Sequence, residues 1–259
     1  GIYHCASRES HEVVLRETKF ELGQYLSIRA LRPAGIILAT SLTPNLRRMY
    51  IDTLAPQDVP LVLCHCRSEY TPLPTVVPDD FQGGYEATRH LLKNGWSPIV
   101  HIGGPEQWVG SIERKNGYIY ALNQSRSPQE RHLLWHSTDW ELNSGRQLML
   151  EILEEVQPPF GLFCANDLLA VGAIQALESR GFRVPQDVGV VGFDNRPICQ
   201  HFIPRITSLE LPGYQLGEEA ASMLLDIIRG NTSKTSASLK CPMVVRESSS
   251  PPLPDHYRS

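Results

Sequence analysis

Short apolar runs rich in β-branched residues alternate along this chain with longer amphipathic stretches, the pattern of parallel β-α-β units rather than of a sandwich. The runs predict strands at 35–40 (GIILAT), 59–65 (VPLVLCH), 98–103 (PIVHIG), 133–136, 160–165 (FGLFCA), 188–193 (VGVVGF) and 206–211. The stretches between them predict helices at 13–31, 45–54, 85–93, 112–123, 144–155, 168–180 and 216–229. In the helix over 168–180 the apolar residues Leu168, Leu169, Ala170, Ala173 and Leu177 share one face, Asn166-Asp167 stands ready to cap its start, and Gly181 ends it. By composition, Thr232 to Ser238 (TSKTSAS) reads as a polar loop and Ser248 to Ser259 as a terminal excursion.

Strands that are apolar throughout have both sheet faces covered by helices. An open parallel sheet of that kind places ligands in the crevice beyond the carboxyl ends of its strands. The polar residues that follow strands here are Gly103-Gly104-Pro105, the run to Trp140, Asn166-Asp167 and Asp194-Asn195. Asp194 and Asn166 supply acceptor and amide groups suited to vicinal hydroxyls, Arg114 a rigid fork of donors, and Trp140 a flat apolar face. A sugar needs this combination, because its hydroxyls must be satisfied on leaving water while its C–H face stacks on an indole. Each residue also has a purely structural reading: Asn166-Asp167 as a helix cap, Arg114 paired with Glu113 or Glu106, Trp140 in the core.

Composition narrows the partners. The net charge of −4 over 259 residues runs against a chain that grips DNA by itself, since such surfaces carry a basic excess to displace counterions from phosphates. The six cysteines, Cys5, Cys64, Cys66, Cys164, Cys199 and Cys241, lack framework spacing and fit a reducing, cytoplasmic setting. Cys64-His65-Cys66 suggests a metal, but no second ligand pair follows at zinc spacing, so these read as buried or wall thiols. No apolar run reaches the roughly 18 residues of a membrane span, and the start Gly1-Ile2-Tyr3-His4-Cys5 lacks the regions of a signal peptide. There is no G-x-S-x-G, H-E-x-x-H, Walker loop, or G-x-G-x-x-G after a strand. The expectation is therefore a binding protein with no cofactor, no metal and no catalysis, although an enzyme on the same scaffold stays open.

Four segments carry a family resemblance: Val77 to Gly104 (VPDDFQGGYEATRHLLKNGWSPIVHIGG), Phe163 to Asn195 (FCANDLLAVGAIQALESRGFRVPQDVGVVGFDN), Pro204 to Gly217, and Cys241 to Ser249 (CPMVVRESS). Together they resemble the LacI/GalR transcription regulators, from about Arg32 to the end of the chain. The resemblance implies an α/β fold like the type I periplasmic binding proteins, two Rossmann-like lobes with parallel sheets joined by three crossovers. On that likeness one lobe takes 1–79 plus 212–240 and the other 80–211 plus 241–259, with the first strand-helix unit absent or replaced. It implies an effector held between the lobes by residues at the positions of Arg114 (in Arg114-Lys115-Asn116-Gly117-Tyr118), Trp140, Asn166 and Asp194, with Trp108, Gln82 and Cys66 as further wall positions. Two indoles favour a sugar or glycoside over a purine. It further implies a homodimer that meets operator DNA only through a helix-turn-helix head that this sequence does not contain. The competing reading is a periplasmic sugar-binding protein serving a transporter, against which stand the cysteines and the regulator-like tail.

Overall fold

The computed structural model describes residues 1–15, 31–39, 48, 52, 59–66, 73–125, 132–231 and 235–251. They form two compact units, Gly1–Pro78 with Pro212–Leu239 and Asp79–Leu211 with Lys240–Ser259. The fold is the expected α/β class with parallel sheets.

In the first unit, strands β1 (Ile36–Ala39), β2 (Leu61–Cys64), β3 (Thr75–Pro78) and β9 (Ser236–Leu239) form one sheet in the order β1-β2-β3-β9, with every pairing parallel. Helix α7 (Gly213–Ile228) lies on it and is covered in turn by α1 (Ile2–Arg8). Strand β9 overturns the reading of Thr232 to Ser238 as loop throughout. Its small side chains carry no apolar pattern, and the strand is specified by backbone pairing to β3 instead, with Ser236 opposite Thr75. The helix expected over 13–31 falls mainly, and the one over 45–54 almost wholly, on residues outside the described ones.

The second unit holds a six-stranded sheet ordered β10-β8-β7-β6-β4-β5, built from β4 (Ile99–Gly103), β5 (Leu133–His136), β6 (Phe160–Cys164), β7 (Val188–Asp194), β8 (Thr207–Glu210) and β10 (Met243–Val244). All pairings are parallel except β10 on β8. Four long helices cover it: α2 (Asp80–Lys93), α3 (Val109–Asn123), α4 (Leu142–Glu155) and α5 (Asp167–Ser179), and the short α6 (Ile198–His201) follows β7. Successive strand residues face opposite sides of a sheet. Val100, Ile102, Leu162, Cys164, Val188 and Val190 accordingly enter a core with α4 and α5, while Ile99, Phe163, Val191 and Phe193 enter one with α2 and α3. Both faces of the sheet are thus covered by buried apolar side chains, which is why these strands read as nearly unbroken apolar runs.

Glycines set the helix spacing. A Cβ at Gly84 would stand 2.2 Å from the Arg114 carbonyl oxygen and one at Gly117 2.1 Å from that of Phe81, so α2 and α3 touch backbone to backbone. Gly145 and Gly172 do the same for α4 and α5. Helix α5 begins as its sequence predicts: the Asn166 side chain accepts from the Leu169 amide at 2.8 Å, and Gly181 at φ +83° ends the helix as its amide bonds to Glu178 O and that of Phe182 to Leu177 O.

Ser248 and Ser249 are anchored, contrary to the expectation of a terminal excursion from Ser248; residues 252–259 lie outside the described ones. Ser248 and Ser249 are fully buried; Ser248 Oγ donates to Val190 O and accepts from Thr207 N, while Ser249 Oγ meets His90 Nε2 at 2.8 Å and Thr207 Oγ1 at 2.7 Å. Short hydroxyl side chains look like surface residues in a sequence, but here they complete a buried polar lattice. All six cysteines are free thiols. Burial pushes Cys64 up to about 11, and its thiol points to Leu216 O. Among the described residues no three His, Cys, Asp or Glu side chains gather as metal ligands.

His101, on β4, is fully buried between the rings of Tyr118 and Phe163, and its Nδ1–H donates to Phe163 O at 2.8 Å. Burial pushes its pKa down from 6.5 to about 3. The folded protein then binds fewer protons than the unfolded chain between those values, so this stability is complete above pH 6.5 and is lost as pH falls toward 3. From pH 7 to 4.5 the loss is about 3 kcal/mol by the free energy of one pKa unit. Urea unfolding at the two pH values should show that difference shrink by about this amount in His101→Leu; an unchanged difference would mean that His101 is charged or accessible in the fold.

Candidate functional site

The strand order of the second unit reverses direction between β4 and β6, since the chain runs outward from β4 to β5 and then returns to lay β6, β7 and β8 on the other side. A parallel sheet leaves an open crevice at such a point beyond the carboxyl ends of its strands. Arg114, one turn and a half into α3, reaches over that point. Its Nη1 donates to Ala165 O, the residue after β6, at 2.6 Å, and its Nε donates to Asp80 Oδ1 at 2.8 Å. The guanidinium lies 3.6 Å above the Phe193 ring and 5.9 Å from that of Trp140.

Arg114 is buried, with 5% of its side chain exposed. Burial works against its charge, and the carboxylates of Asp80 and Asp194 more than offset that, so the guanidinium is held above its ordinary value. Asp194 Oδ1 lies 3.8 Å from Arg114 Nη1 and its Oδ2 3.4 Å from Arg196 Nε. The row Asp80, Arg114, Asp194, Arg196 therefore alternates in sign, and its charges offset one another.

Beside this row stand two indoles. Trp140 is half-buried, and its six-membered ring fits against Gly104: a Cβ at Gly104 would lie 2.3 Å from that ring. The second glycine of the HIGG run is thus the seat of Trp140. Asn166 Nδ2 donates to Trp140 O at 3.0 Å, which ties the same residue to the head of α5. Trp108, the residue before α3, meets Trp140 edge to face, with ring centroids 6.4 Å apart and planes at 76°. Ser111 Oγ is buried without a hydrogen-bond partner among the described residues.

Of the residues singled out from the sequence, the structure gathers Arg114, Trp140, Asn166, Trp108 and Asp194 at this edge. Asn166 is buried, and its side chain is committed to the α5 cap and to Trp140, so its structural reading holds alongside any other. Arg114 pairs with neither Glu113 nor Glu106; the latter meets His136. Gln82 lies on the first turn of α2, but its amide runs along the helix to Glu86 Oε1 at 3.0 Å. Cys66 is buried in the other unit. Asp80 was missed. Its signal was the doubled acid of Val77-Pro78-Asp79-Asp80: Asp79 caps α2 by accepting from Gln82 N, which leaves the next carboxylate free for Arg114.

The family described as "Periplasmic binding protein-like domain" matches residues 88–249. A curated relative, the probable HTH-type transcriptional repressor ExuR of Bacillus subtilis (strain 168), is 30% identical over 220 residues, 85% of this chain and 65% of that protein. Among solved structures, the transcriptional regulator CelR–cellobiose complex is 28% identical with a TM-score of 0.80, covering 95% of this chain and 76% of that one. A LacI family transcriptional regulator from Enterococcus faecium with bound ribose is 26% identical, also at a TM-score of 0.80, over 96% of this chain and 91% of that one. The chain spans 50 to 68% of the length of the curated relatives it matches.

Removing one member of a buried ion pair strands the other, at a cost of about 3–5 kcal/mol. Arg114→Met should lower the unfolding free energy in urea by that order, because the buried Asp80 carboxyl loses its partner. Asp194→Asn, at a side chain still 16% exposed, should change it by less than about 1 kcal/mol. Equal losses in the two variants would place Asp194, not Asp80, as the structural partner of Arg114.

Proposed function

The chain belongs to the LacI family of transcription regulators through its periplasmic-binding-protein-like domain, and we propose that it senses a sugar or glycoside and converts binding into control of transcription, without catalysis. The observation that carries this reading is the partly open Asp194 carboxylate beside two half-buried indoles at the carboxyl edge of a parallel sheet. An ionised Asp is purely an acceptor and takes hydroxyls, while the indole faces take the apolar side of a pyranose or furanose ring. In this reading Asp80 and Arg114 set the polar floor, Trp140 and Trp108 form the stacking wall, and Asn166 holds Trp140 in place. The sugars named with two of the similar structures, cellobiose and ribose, agree in chemical class.

A sensor works only if its ligand prefers one of two conformations, by as much as it shifts the equilibrium between them. The second partner is operator DNA, met through a helix-turn-helix segment outside these residues. The third is another copy of the chain. Ile198, the first residue of α6, is 37% exposed and Ile203, just beyond its end, 86%, and such exposed apolar residues suit a symmetric contact. The free thiols suit the cytoplasm, and no described helix is long and apolar enough to cross a membrane.

A thermal-shift screen over sugars, glycosides, polyols, sugar phosphates and nucleobases should find its strongest hit among the sugars. A ligand at about 100 times its dissociation constant adds roughly 2.7 kcal/mol of stability. With the best sugar, calorimetry should show Asp194→Asn and Trp140→Ala each weakened about tenfold to a hundredfold. A nucleobase as the only hit, or wild-type affinity in both variants, would remove the sugar reading. For the assembly, Ile203→Asp should turn a dimer into a monomer in sedimentation, and a persistent dimer would put the interface elsewhere.

A further inference from the structure

Asp194 and Asn195 both adopt left-handed backbone conformations, at φ 101° and 53°, directly after a buried strand. Two consecutive residues other than glycine in that region are strained, and they persist only where the surroundings hold them. The holding groups converge on Asp167, the first residue of α5, whose carboxylate is fully buried. Its Oδ2 accepts from the Arg196 amide at 2.7 Å. Its Oδ1 accepts from the Ser208 hydroxyl at 2.6 Å, and that hydroxyl accepts in turn from the Asn195 amide at 3.0 Å. The two peptide N–H groups after Asp194 are therefore tied to one carboxylate, one directly and one through a hydroxyl. From the other side β7 presses on the same group, since a Cβ at Gly192 would stand 2.5 Å from Asp167 Oδ1.

We propose that Asp167 is the positioning residue of the site: through the Arg196 amide and the Ser208 hydroxyl it holds the turn that aims the Asp194 carboxylate. This rests on the reading of Asp194 as the ligand's acceptor. Asp167 itself lies behind the turn and is shut off from solvent. Burial pushes its pKa up to about 6, against the pull of Ser208 and Arg196, so the carboxylate is ionised at neutral pH and accepts from both anchors. The cost of burying it is met by neutral donors and by the positive end of α5. Its placement is what a locked turn requires, because a carboxylate offers two acceptor atoms on a rigid plane.

The test reads the turn first and binding second. In the ligand-free chain at pH 7.5, amide hydrogen exchange followed by NMR should show the Arg196 and Asn195 amides protected. Asp167→Ala should lower both protection factors at least tenfold, and Asp167→Asn, which keeps an acceptor for Arg196, should restore that amide. If Asp167→Ala does not fold, Ser208→Ala should release Asn195 and leave Arg196 protected. Unchanged protection in these variants would overturn the proposal. For binding, calorimetry with D-ribose, cellobiose and the best sugar of the screen should show Asp167→Ala weakened at least tenfold. That loss should shrink to under threefold when made in an Asp194→Asn background, because both changes then act through the same carboxylate. Additive losses would assign Asp167 a general structural role and overturn the proposal. If no sugar binds the wild-type chain, the ligand reading fails instead, and the exchange measurements still decide the role of Asp167.

Discussion

A guanidinium taken out of water must have its charge matched and its donors met, and the second unit is organised around doing this for Arg114. One carboxylate at 2.8 Å, one carbonyl at 2.6 Å and an aromatic face at 3.6 Å accomplish it. The three groups come from the start of α2, the end of β6 and the end of β7, so a single side chain fixes the relative positions of three segments that are distant in sequence. The pair is not a source of net stability, since desolvation consumes most of what the charges return. What it supplies is a tie: one side chain holds the start of α2, the end of β6 and the end of β7 to each other.

Backbone contact between helices makes the arrangement reachable. Were Gly84 or Gly117 any larger residue, α2 and α3 would separate, and the span from Asp80 to Arg114 would exceed a hydrogen bond. The spacing Arg114-x-x-Gly117 thus has a mechanical meaning, with the glycine fixing the helix crossing and the arginine, one turn earlier, using it. Tyr118 adds the third constraint by donating its buried hydroxyl to Ile99 O and Leu133 O, which locks α3 against β4 and β5.

Side chains at the sheet edge divide into those shut off from solvent and those partly exposed to it. Arg114, Asn166 and Asp167 are buried with their partners in place, and they behave as framework. Asp194, Trp140 and Trp108 are the partly open ones. In the proposed function such a surface would cost little to keep ready, because its strained turn and its indole are held by bonds that exist before any ligand arrives.

The sequence by itself determined the alternation of parallel strands and helices, the cap and stop of α5, and the gathering of Arg114, Trp140, Asn166 and Asp194 at one sheet edge. Each follows from a local rule: apolar periodicity, side-chain capping, or the position of polar residues just after buried strands. Only the tertiary structure decided which carboxylate answers Arg114, because Glu113 and Glu106 are its neighbours in sequence while Asp80 reaches it across a glycine contact between two helices. It likewise decided that Gln82 turns to Glu86, that Ser236–Leu239 is a strand, and that Ser248 and Ser249 are buried. Gln82 finds its partner four residues on along its own helix, whereas Ser236–Leu239 and Ser248 take their roles from backbone groups that the fold places opposite them from tens of residues or more away.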